Sequence, residues 1–210
     1  MSSFLIHQNN YLFFYAFQLI SEYLKKTKKS MNEYQIQDHI HLYASWAAGR
    51  ASSVKNNRFK VEIAQKILSK SVIKSFILNP DALPTNEKEF TLSHKIWRQQ
   101  IIDLAEEEEL HLTHGISAKL INMYLKSTII CGGFHKHKNA KFIHPPIDRV
   151  LLKELYSVNY NNKKKFWKEY ENIAWSKFNS EQYENVISEI KAGINGAPLW
   201  EIEKYWKGYQ

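Results

Sequence analysis

Apolar side chains recur along this chain at intervals of three and four residues, and no stretch alternates with period two for long enough to make a strand. That spacing predicts an all-α protein of roughly eight helices. The first runs from Asn10 to Lys26 and ends in a cluster of lysines at 25, 26, 28 and 29. A second, opened by Ser30 or Asn32, reaches Gly49 with Tyr34, Ile40, Tyr43, Ala44 and Ala47 on its apolar side. A third spans Asn57 to Leu78, and Asn79-Pro80 with Leu83-Pro84 ends it. Thr85 or Asn86 opens a fourth, with Phe90, Ile96, Trp97, Ile101 and Leu104 inward, running out in Glu106 to Glu109. A hairpin over Leu110–Ser117 precedes a fifth helix, Ile116 to Ile130, stopped by Cys131-Gly132-Gly133. A sixth follows Pro145-Pro146 from Asp148 to Val158, and Asn159–Lys165 reads as a polar linker. Two more lie at Glu181–Ala192 and at Pro198–Lys207.

Composition narrows this picture. Seven glycines and five prolines in 210 residues are about half the usual share, which favours helices over turn-rich sandwiches. One cysteine excludes an internal disulfide framework, a cysteine-based zinc cluster and an iron–sulfur cluster. The apolar stretch Tyr11–Leu24 is too short and too polar for a bilayer span, so a cytoplasmic protein without membrane association is expected. A formal charge of +8 invites a polyanionic partner.

The segment most charged with chemistry is Leu112-Thr113-His114-Gly115-Ile116-Ser117-Ala118-Lys119, followed by His144-Pro145-Pro146-Ile147-Asp148-Arg149. It resembles the helix-hairpin-helix DNA glycosylase superfamily, whose hairpin Leu-Pro-Gly-Val-Gly precedes a lysine and, later, a Pro-rich turn ending in an aspartate. Gly115-Ile116-Ser117 stands at Gly-Val-Gly, with Thr113-His114 in place of the hairpin proline and Ser117 in place of the second glycine. Lys119 falls at the lysine of the bifunctional members and Asp148 at the invariant acid, 29 positions apart because of the insert Gly132–His144. The resemblance covers Phe59 to Leu155. It implies two helical lobes flanking a DNA-binding cleft, residues 1–50 with 159–210 in one lobe and 51–158 in the other.

The residue types suit the implied reaction. Cleaving an N-glycosidic bond builds positive charge on the sugar, which a fixed carboxylate such as Asp148 stabilises. An amine such as Lys119 can attack C1′ and form a Schiff base if burial keeps part of it neutral. Backbone N–H groups at a helix start hold a phosphate without reading sequence, which points to His114, Gly115 and Ser117 as DNA-binding. Asn122 and Lys126 share the Lys119 face, and His135 and His137 lie in a basic loop. All four are expected to meet DNA. Trp46 and Arg50 are candidates for the pocket that takes an extruded base.

The resulting expectation is a monomeric DNA N-glycosylase acting on double-stranded DNA, either monofunctional or with AP-lyase chemistry through a lysine Schiff base, in base-excision repair or in defence against modified foreign DNA. No cofactor is expected, and no metal: the spacings among Cys131, His135 and His137 do not complete four ligands. Two other readings stand beside it. One is a non-catalytic helix-hairpin-helix module that only binds nucleic acid; the other is a helical adaptor for an acidic protein.

Overall fold

A computed structural model describes residues 33–55 and 57–208. Residues 39–210 form one compact unit; of the other, residues 1–38, the described part is the lead-in and first three residues of the first helix, where the Asp38 carboxylate accepts the Gln35 N–H at 3.1 Å. The expected helix Asn10–Lys26 lies outside the described residues.

The described residues are all-α. Seven α-helices succeed one another: α1 (Ile36–Ser52), α2 (Val61–Lys70), α3 (Glu87–Glu106), α4 (His114–Leu125), α5 (Arg149–Ser157), α6 (Lys164–Asn172) and α7 (Ser180–Gly193). Short helical turns connect them, and a wide π-turn stretch, Lys126–Phe134, prolongs α4. The one β-type pairing among the described residues is the isolated bridge Val54–Asn57.

Local chemistry sets the boundaries. Asn86 caps α3 by accepting the Glu89 N–H at 3.0 Å, and Thr113 caps α4 through the Ile116 N–H at 3.2 Å. Asn179 and Gln182 form a reciprocal capping box on α7. The expected fifth helix stops being α-helical at Lys126, and within the stretch that follows Gly133 breaks the helical geometry at φ 97°, a conformation that glycine adopts freely. The third expected helix breaks at Ser71, where an extended residue separates α2 from a 3₁₀ segment Val72–Phe76.

Two apolar clusters hold the unit together. The first gathers Ala44 and Ala48 of α1, Ile67 and Leu68 of α2, Phe90, Trp97 and Ile101 of α3, and Ile116, Leu120 and Tyr124 of α4. The second is built from α5, α6 and α7 around Leu151, Leu155, Trp167, Tyr183 and Ile187. Ala118 of α4 belongs to the second cluster and Trp175 packs against both, so α4 runs along the seam. Of the expected lobe 1–50 plus 159–210, the part of α1 that is described places Ala44 and Ala48 in the first cluster.

Gly115 is where the seam closes. A Cβ there would stand 1.9 Å from the Trp175 carbonyl oxygen, so only glycine lets the start of α4 meet the Trp175–Phe178 turn.

Candidate active site

Lys119 lies midway along α4 and Asp148 is the N-cap of α5. The Asp148 carboxylate is used at both oxygens. Oδ1 accepts the Leu151 N–H at 2.9 Å, which holds the carboxylate at the positive end of α5. Oδ2 accepts from the Lys119 ammonium at 3.3 Å and from the Trp206 indole N–H at 3.0 Å. Capping thus fixes the acid, and its second oxygen is presented to the amine.

The amine is nearly enclosed, its side chain 8% exposed against 17% for Asp148. Its Nζ sits 4.4 Å from the centroid of the Trp175 ring, whose negative face favours a cation. Burial holds the Lys119 pKa below the ordinary 10.5, against the opposing pull of Asp148 and, more weakly, Glu203. A second amine–carboxylate pair adjoins the first: Lys126 and Glu203 are in direct contact. Burial pushes the Glu203 carboxyl up, Lys126 draws it down, and the Asp148 charge adds to the rise.

Sequence and structure diverge over the DNA-facing residues. Gly115, Ser117 and Asn122 are buried. The Gly115 N–H is given to the Phe178 carbonyl at 3.1 Å, Ile116 N–H to the Thr113 hydroxyl, and Ser117 N–H to the Thr113 carbonyl at 3.0 Å. The donors expected to cradle an anion are therefore engaged within the fold, a correction to the hairpin reading. His114 is half-buried with its Nδ1 enclosed and unpartnered, and burial lowers its pKa. Asn122 belongs to the interior: its amide joins His94, Pro145 and Tyr183.

Lys126 is tied to Glu203 instead of standing ready for a phosphate. His135 is exposed, edge-on to Trp200, while His137 Nε2 lies 3.2 Å from the Asp81 carboxylate. Trp46 is 50% exposed and Arg50 is exposed on α1, and no described contact joins either to Lys119 or Asp148. The Glu106–Glu109 run is partly neutralised, with Lys70 at 2.7 Å from Glu107 and Lys66 at 2.7 Å from Glu108.

Trp206 and Glu203 were not among the expected site residues. They lie more than fifty positions from both Lys119 and Asp148 in the chain, and no periodicity or short-range spacing connects them to either. Among the described residues no group of three or more His, Cys, Asp or Glu side chains could hold a metal ion. No helix among them is long and apolar enough to cross a membrane.

Comparison of the chain with protein-family models, with curated proteins and with solved structures finds no match.

Proposed function

We propose that the protein is a DNA N-glycosylase that excises a damaged or modified base, with Lys119 as nucleophile and Asp148 as its electrostatic and acid–base partner. The observation that carries this reading is the 3.3 Å approach of an enclosed amine to a helix-capping carboxylate from a distant part of the chain. Buried charges are seldom kept without a partner, and this pair is held by a cap, an indole N–H and an aromatic face together.

The steps follow from the groups present. Lys119 Nζ gives a proton to Asp148 and attacks C1′ of the extruded nucleotide. The C1′–N bond breaks, and its electron pair leaves with the base, which takes up a proton. That proton comes from Asp148, and the carboxylate so restored faces the charge developing on the sugar. Loss of a second amine proton and opening of the sugar ring give an iminium ion, the ring oxygen taking up a proton. Removal of a C2′ proton then expels the 3′ phosphate and cleaves the strand. Water hydrolyses the imine and restores the amine.

DNA affinity in this reading comes from lysine side chains, not from the hairpin N–H groups. Lys164 and Lys168 flank Tyr156 at 5.4 and 4.9 Å from its ring, next to Lys165, and form an exposed basic face on α6.

The test is base release from genomic DNAs of differing modification, read as free base by mass spectrometry. The wild-type protein releases a base from at least one DNA. Lys119→Gln and Asp148→Asn each lower that release by about 100-fold or more while DNA binding persists. Salt-dependent binding with no base released from any DNA would instead mark a binding module without chemistry.

A further inference from the structure

A concavity lies between the first half of α3 and α7, and neither Lys119 nor Asp148 lines it. It is a cleft of about 570 Å³, within the range of pockets that take small organic ligands. Leu92 and Ile187 give it apolar walls, Lys88, Lys95 and Lys191 border it, and His144 lines it from within.

The protonation of His144 can be worked out from its neighbours. Arg98 can only donate, so its Nη1 gives to His94 Nδ1 at 3.2 Å and the His94 proton must sit on Nε2. That proton goes to Asn122 Oδ1 at 2.8 Å. Asn122 Nδ2 then donates to the Pro145 carbonyl and to the Tyr183 hydroxyl, each at 2.9 Å. The Tyr183 proton passes to His144 Nδ1 at 3.0 Å. The reverse arrangement would leave two buried atoms unsatisfied instead of one, the Tyr183 proton and the His144 Nε2 lone pair. His144 therefore carries its proton on Nε2.

That Nε2–H is the loose end of the chain. His144 is 2% exposed and its Nε2 has no hydrogen-bond partner. Burial and the nearby cations keep the ring neutral, so it offers one donor and no charge. Arg98 Nε is also without a partner, but it lies behind the wall, whereas the ring of His144 lines the cleft; a buried donor left unmatched there marks a place for an acceptor.

The charge around the cleft says which acceptor. The Glu184 carboxylate is taken up by Arg98 at 2.7 Å and by Ser180 at 2.8 Å, so it offers little to Lys95 at 3.9 Å. Lys191 is shared between Glu87 at 3.3 Å and the Thr91 hydroxyl at 2.9 Å. Lys88 has no ion pair among the described residues. With Arg98 behind the wall, the cations outnumber the two carboxylates by two, which matches a dianion.

We propose that this cleft is a binding site for a small aryl or nucleoside phosphomonoester, its body between Leu92 and Ile187, its phosphate among Lys88, Lys95 and Lys191, and one of its oxygens accepting the His144 Nε2–H. The site is independent of the glycosylase reading, because neither Lys119 nor Asp148 takes part.

The experiment is a titration of the ¹⁵N-labelled protein with phenyl phosphate and with adenosine 5′-monophosphate, following the His144 ring nitrogens, with His144→Gln to identify its signals. The free protein shows the Nε2–H tautomer. At least one of the two esters shifts the His144 Nε2 resonance saturably, and inorganic phosphate and adenosine each bind at least tenfold more weakly. The doubly charge-reversed variant Lys88→Glu/Lys95→Glu, both sites being exposed, keeps the thermal melt and binds the same ester at least tenfold more weakly. An Nδ1–H tautomer, a His144 signal unmoved by both esters, or unchanged affinity in the charge-reversed variant overturns the proposal.

Discussion

A lysine that is to act as a nucleophile near neutral pH must lose its proton more easily than lysine in water, and Lys119 meets this through enclosure. Burial lowers its pKa while Asp148 and Glu203 raise it, and the lowering prevails. The sign for activity follows: the neutral amine grows as pH rises and reaches half its maximum below 10.5. Base release measured against pH, with a substrate whose chemistry limits the rate, is expected to rise with pH and to have its midpoint below that value. A midpoint at or above 10.5 contradicts the assignment. A second residue-scale prediction concerns Gly115. The methyl of Gly115→Ala would meet the Trp175 carbonyl oxygen at 1.9 Å, so the seam must open. The expected loss is about 3 kcal/mol, read as a lower midpoint in urea unfolding. An unchanged midpoint would show that the turn at Trp175 yields without strain.

At the scale of the element, buried histidines make stability depend on pH. His94 on α3 is held from the ordinary 6.5 down to about 3 by burial and the Arg98 charge, and His144 is held well below 6.5 by burial. Both bind protons more readily in the unfolded chain, so the unfolded state gains protons first as pH falls below 6.5. Stability is therefore expected to fall with acidification from 6.5 toward 3, with a slope approaching about 1.4 kcal/mol per pH unit for each histidine. Urea midpoints measured between pH 4 and 7 check this, and flat midpoints contradict it.

Much of this element pattern was legible along the chain, and the failures have physical reasons. The caps Asn86 and Asp148 stand where expected, because capping is a short-range exchange between a side chain and an N–H three residues on. Lys119 and Asp148, chosen by resemblance, do come into contact. Helix α6 lies at what read as the end of a linker and beyond it, since its lysines mask the spacing of Phe166, Trp167 and Tyr170. On α1 the apolar face is only partly legible: Ala44 is buried as expected, but Tyr43 is 61% exposed, whereas His41, Ser45 and Ala48 are buried. Hydrophobicity alone does not say which face a helix buries when close packing favours small residues. The polar interior around His94, Arg98, Asn122, His144 and Tyr183 could not be read either, because its members meet only across four segments.

For the molecule as a whole, two apolar clusters meet along α4, and the Lys119–Asp148 pair lies beside that seam, the lysine on α4 and the acid at the head of α5. Under the proposed function, with the hairpin N–H groups engaged internally, DNA affinity is expected to depend on lysines such as those of α6. The triple variant Lys164→Gln/Lys165→Gln/Lys168→Gln is expected to reduce the slope of log K against log salt by about 2 to 3. Fluorescence anisotropy with a duplex across a salt series measures it, and an unaltered slope would place the DNA elsewhere on the surface.

The central claim is that one amine becomes covalently attached to the sugar. Sodium borohydride added during turnover on a duplex that releases its base reduces the Schiff base and leaves protein and DNA joined. Peptide mapping of the adduct is expected to find the DNA remnant on Lys119, and Lys119→Gln is expected to give no adduct while still binding the duplex. An adduct on another lysine, or trapping that survives Lys119→Gln at the wild-type level, contradicts the account.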